Sequence, residues 1–214
     1  IISNHIAWSP SIFTFIGAGG RLPASAAEGL FTISGLLVGY LYAPRILKET
    51  KKTFKKIWKR ALLLYVVTTF FTFFYTAWAA LEPTSHAHQV MYSGDPWTFI
   101  TGTLTLRYAF GWADFLNRYA LFMFAAPFAV WLIAKGKAWI VAIASFLIWY
   151  YLRETARFLP FSAWQLIFMF GIIIGYYLPA LEATFRNLSK QWRHFIFIGI
   201  TGVALISYLF SMFL

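Results

Sequence analysis

His5 closes the apolar opening Ile1-Ile2-Ser3-Asn4-His5-Ile6, and an ionisable group at the end of such a run is costly to hold and functional by default. An imidazole with an unperturbed pKa of about 6.5 could act as a base near neutral pH. On position alone, an idle histidine at headgroup level has equal standing. Glu28 opens the run Glu28-Gly29-Leu30-Phe31-Thr32-Ile33-Ser34-Gly35. The helix dipole alone favours a carboxylate there; it could also reach His5 from the neighbouring helix and orient its ring. Ser34 and Gly35 lie deeper and read first as small residues that let two helices approach closely. Asp114 and Arg118 are four apart, the spacing of an ion pair on one helix face, either solvated at the membrane edge or part of a site. Trp164 and Gln165 open a later apolar run, where a glutamine needs a partner on another helix or on a substrate. His86 and His88 stand two apart with no third ligand nearby, so no metal site is expected. Cysteine is absent, and there is no phosphate-binding glycine loop, nucleophile elbow or His-Glu-x-x-His.

The elements that must position these side chains are membrane helices. Hydrophobic residues make up 60% of the chain and charged ones 12%, against about 45–50% and about 25% in soluble domains. A water-soluble fold of this size could not bury that much apolar surface. Runs long enough to span, or nearly so, are predicted over 28–46, 57–81, 115–134, 138–152, 162–181 and 195–214. Ile1 to Ala7 reads as the outer end of a further, truncated span, with both ends of the chain cut inside apolar runs. The expected fold is all-α: a polytopic transmembrane bundle of about six full spans, forming one domain over residues 1–214.

The net charge of +11 is concentrated in Pro44 to Arg60, which holds Arg45, Lys48, Lys51, Lys52, Lys55, Lys56, Lys59 and Arg60. Positive loops stay in the cytoplasm, and this one should attract anionic lipids rather than nucleic acid. Alternation then puts Glu28, Asp114 and Arg118 at the outer face, with long outer loops over 8–27 and 82–114 that could serve as lids. The abundant Trp and Tyr near span ends read mainly as an interfacial belt.

Four segments in order carry a resemblance. Asn4-His5-Ile6, Ala26-Ala27-Glu28 leading to Phe31-Thr32-Ile33-Ser34-Gly35, Asp114-Phe115-Leu116-Asn117-Arg118-Tyr119 before Ala126-Pro127, and Ala163-Trp164-Gln165-Leu166 through Gly171 are similar to motifs of OpgC-type proteins. These are integral-membrane acyltransferases of bacteria that succinylate osmoregulated periplasmic glucans, related to the acyltransferase-3 superfamily. Ser25 stands where that family often has Asp. The resemblance implies an inner-membrane enzyme that moves an acyl group, succinyl among the candidates, from cytoplasmic acyl-CoA to a glycan hydroxyl, with no other cofactor. It implies His5 as base and Glu28 as the group orienting it. Asn4, Ser34 and Gln165 could donate to the acyl oxygen, and Trp164 and Tyr119, beside Asp114 and Arg118, could line the acceptor cleft. A glycolipid transporter or a membrane scaffold would use the same polar cluster without chemistry.

Overall fold

The computed structural model describes residues 26–81, 94–111, 114–154 and 159–213, which form seven helices and no strand. They are α1 (Ala26–Ile46), α2 (Thr50–Leu81), α3 (Pro96–Leu104), α4 (Asp114–Ala134), α5 (Ala138–Leu152), α6 (Leu159–Asn187) and α7 (Lys190–Phe213). Five of these are long and apolar enough to cross a membrane, and α5 is a shorter apolar helix, so the fold is a polytopic transmembrane helical bundle. Ile1–Ala7, Asn4, His5, Ser25, His86 and His88 lie outside the described residues.

Two segments differ from expectation. The basic stretch is not an open loop: α2 begins at Thr50, and only Leu47–Glu49 turn between helices. Lys51, Lys52, Lys55, Lys56, Lys59 and Arg60 repeat every four residues, so they share one helical face, while Thr53, Ile57 and Ala61 are buried on another. Lysine is a good helix former, and nothing in the stretch breaks the helix. The second difference is α3, inside what reads as an outer loop. Its start is written locally: Asp95 Oδ1 accepts from the backbone N–H of Trp97 at 2.9 Å and of Thr98 at 3.1 Å, and Pro96 takes the first helical position.

The bundle is built on two seams. Along α1 and α6, Gly35 and Gly39 face Gly171 and Gly175. A Cβ on Gly35 would collide with the carbonyl oxygen of Phe168, one on Gly39 with that of Ile172, and one on Gly175 with that of Leu36. On Gly171 it would lie 2.7 Å from the Thr32 oxygen. The backbones therefore touch, as small-residue repeats at four-residue spacing allow. The α2–α4 seam is filled instead with rings. Phe54 meets Phe128 edge-on at 5.4 Å, and Trp58 Nε1 donates to the Phe124 carbonyl at 3.1 Å. That carbonyl neighbours the one on Met123, whose helical partner Pro127 cannot supply. Helix α7 buries none of its apolar window among the described residues.

Candidate active site at the Glu28 end of the bundle

The glycine seam sets the register of the site. Gly35 pairs with Gly171 and Gly39 with Gly175 at the sequence offset that also separates Glu28 from Trp164, 136 residues. Seven residues before each first glycine, two helical turns up two parallel helices, those side chains meet. Trp164 Nε1 donates to Glu28 Oε1 at 2.8 Å. A hydrogen bond to a charged acceptor contributes about 1.5–3 kcal/mol, enough to hold one carboxylate oxygen in place.

The chain of contacts continues onto α4. The Arg118 guanidinium lies 4.8 Å from the centre of the Trp164 ring, and Asp114 Oδ2 accepts from Arg118 Nη2 at 2.6 Å. Arg118 is only 18% exposed at its side chain, so the carboxylate one turn away neutralises a largely desolvated cation. A guanidinium over an indole face adds about 0.5–2 kcal/mol and polarises the ring whose N–H faces Glu28. Asp114, Arg118, Trp164 and Glu28 thus form one continuous line of alternating charge and aromatic surface across three helices.

Phe31 is the packing hub beneath it. It is fully buried and sits 5.1 Å from the Trp164 ring, 5.9 Å from Tyr119 and 5.4 Å from Phe122. Tyr119 also meets Phe168 edge-on at 6.0 Å. Of the residues singled out in the sequence, Glu28, Asp114, Arg118, Tyr119 and Trp164 are brought together. Ser34 is buried on α1, nearly two turns from Glu28. Gln165 points elsewhere: its Nε2 donates to the Ser145 carbonyl of α5 at 2.8 Å, one of the two partners a glutamine in a span can find. No three His, Cys, Asp or Glu side chains converge among the described residues.

Sequence reasoning missed Asn117 and Tyr65. The register of α2 on α4, with 54 opposite 128 and 58 opposite 124, brings 65 opposite 117. Asn117 Nδ2 donates to the Leu106 carbonyl at 2.9 Å and Tyr65 OH to the Leu104 carbonyl at 2.9 Å. Both hold the turn that ends α3, beside Arg118. An asparagine in the first turn of an apolar helix carries the same signal as Gln165, a buried amide that must find a partner.

A family model described as OpgC protein matches residues 23–214, which takes in all seven helices and every site residue named above except Asn4 and His5. No curated protein and no solved structure matches the chain.

Proposed function

The chain belongs to the OpgC protein family, and from that premise we propose that it is a bacterial inner-membrane acyltransferase moving an acyl group, succinyl among the candidates, from acyl-CoA to a hydroxyl of a periplasmic or cell-surface glycan. The family points to acyl transfer in glucan modification. The observation that carries the reading for this chain is the Trp164–Glu28 hydrogen bond, backed by Arg118 and Asp114. A carboxylate fixed in this way, at one end of a transmembrane bundle, suits the task of orienting an imidazole.

In this reading His5 takes the proton from the glycan hydroxyl as its oxygen attacks the thioester carbonyl. The carbon–sulfur bond then breaks, and the leaving CoA thiolate recovers the proton from the imidazolium. Glu28 fixes the tautomer and stabilises the imidazolium while it exists. Asn4 is the donor proposed for the acyl oxygen; Gln165 is engaged by the Ser145 carbonyl and Ser34 lies buried nearly two turns from Glu28, so neither serves there. Tyr119 and Trp164 wall the acceptor side, and Asp114 reaches it through Arg118.

General base catalysis contributes about 10²–10⁴-fold. His5→Ala in the intact protein should therefore lower acyl transfer by about 10²–10⁴-fold while expression and membrane insertion stay normal; unchanged transfer would end the role. The activity of the unmutated enzyme should fall as pH drops through about 6.5, where an ordinary imidazole protonates. Acyl-CoA-dependent labelling of a glycan by purified protein separates this function from glycolipid transport, which needs no donor.

A further inference from the structure

At the opposite end of the bundle α1 and α2 enclose an open groove of about 740 Å³ among the described residues. Its rim carries four cations: Arg45 from α1, and Lys56, Lys59 and Arg60 from α2. Its floor is apolar, formed by Leu41, Leu62, Leu63 and Val66, all between 41% and 63% exposed. We propose that this groove binds one anionic phospholipid, phosphate at the rim and acyl chain along the floor.

The charge is available. None of the four rim cations makes an ion pair among the described residues, and the nearby acid, Glu49, is engaged by Lys52 at 3.0 Å. The carboxyl of Glu49 is held below its ordinary value, chiefly by the hydrogen bond and charge of Lys52, with Lys56 and Arg45 adding to the pull. Arg60 is steadied by Tyr42, whose ring centre lies 5.8 Å from the guanidinium. Two guanidiniums at one rim suit a phosphate, whose oxygens match their forked donors.

The groove also steps abruptly from charge to hydrocarbon. Along α2 the sequence passes from Lys59-Arg60 to Ala61-Leu62-Leu63 with no polar residue between. Leu62, Leu63 and Val66 lie two to six residues beyond Arg60, which is about 3–9 Å along the helix. A soluble phosphate would leave that floor wet, and a zwitterionic lipid would leave the rim charge uncompensated. Only an amphiphile with net negative charge at its head satisfies both halves. With the basic end on the cytoplasmic side, as its charge directs, the ligand comes from the leaflet that carries anionic lipid.

A neighbouring cavity on α2 shares Lys59 and Leu62 with the groove but is otherwise lined by residues such as Lys51, Phe54, Lys55 and Trp58, and its two lysines that do not line the groove supply the control. The experiment measures phosphatidylglycerol and phosphatidylcholine retained by the purified intact protein from mixed micelles, read by native mass spectrometry. Wild type should retain about one phosphatidylglycerol and no phosphatidylcholine. Arg45→Gln with Arg60→Gln should lower phosphatidylglycerol retention about tenfold. Lys51→Gln with Lys55→Gln, the same loss of charge at residues that do not line this groove, should lower it by about threefold at most, the share of diffuse attraction alone. Equal losses in the two double variants would show diffuse attraction and overturn the site. So would equal retention of phosphatidylcholine by the wild type, an outcome that needs no variant to fold. Displacement of the lipid by a stoichiometric amount of long-chain acyl-CoA would assign the groove to the acyl donor instead. Acyl transfer plays no part in these readouts, so loss of the enzymatic proposal would leave this one standing.

Discussion

The two helix seams reach similar precision by opposite means. Between α1 and α6 there is no room for a single added carbon at Gly35, Gly39 or Gly175. Between α2 and α4 the space is wide enough for Phe54, Trp58 and Phe128, which meet as rings. Backbone contact leaves one register available, because any slip drives a carbonyl into the neighbouring helix. Ring packing tolerates adjustment, so that seam is pinned by hydrogen bonds such as Trp58 to Phe124. The functional consequence follows from position. The rigid seam carries Glu28 and Trp164, and under the proposed acyl transfer a displacement of about 1 Å there would cost as much as 10²-fold in rate. The adjustable one carries the turn after α3.

The strongest way to break this contrast is to place the same methyl group where the backbones touch and where they do not. Gly175→Ala should destabilise the protein by about 1–3 kcal/mol, because its Cβ meets backbone atoms of Leu36 that no rotamer can move aside. Gly199→Ala on α7 has nothing within 4 Å of its new Cβ and should be neutral or slightly stabilising, as alanine is the better helix former. Melting temperatures in one detergent decide it. Similar shifts for both variants would mean that the α1–α6 approach does not govern stability.

The next effect is on the chemistry. Trp164→Phe keeps an aromatic ring beside Phe31 and near Arg118 but removes the donor to Glu28. If the bond holds the carboxylate in its working position, kcat for acyl transfer should fall about ten- to a hundredfold, the rate equivalent of one charge-assisted hydrogen bond. KM for the acyl donor should stay near its original value. A drop in melting temperature with unchanged kcat would make the bond a structural one and Glu28 independent of it.

The parts of this molecule that could be read from sequence are those where composition and spacing act alone. Long apolar runs give the spans, and the Asp114–Arg118 spacing gives an ion pair that forms at 2.6 Å. Gly35 and Ser34 signalled close packing, yet the partner glycines at 171 and 175 belong to a helix more than a hundred residues away, and the Glu28–Trp164 bond follows only from that pairing. The helical state of Lys51 to Arg60 was hidden by its charge, which marks a side of the membrane without distinguishing loop from helix. Helix α3 was hidden for another reason: it has only nine residues, and its end breaks the usual rule for such turns.

The smallest effect is expected at that end of α3. The chain closes α4 and α3 with the same turn: Lys137 N–H donates to the Leu132 carbonyl at 2.9 Å, and Arg107 N–H to that of Gly102 at 2.8 Å. The left-handed position is Gly136 in the first, at φ 75°, but Leu106 in the second, at φ 57°. A leucine there costs roughly 1–2 kcal/mol, and it persists because Tyr65 and Asn117 hold the carbonyls on either side of Thr105. Leu106→Gly should therefore stabilise the protein by about 0.5–1 kcal/mol, the relief of strain being partly offset by the greater freedom of glycine in the unfolded chain. In the Asn117→Ala background the gain should grow, since the glycine turn forms without outside support; hydrogen exchange of the α3 amides would show it as restored protection. A loss of stability in Leu106→Gly would instead assign the leucine to packing against the α2–α4 seam, and the turn beside Arg118 would then be held by contact rather than by those two hydrogen bonds.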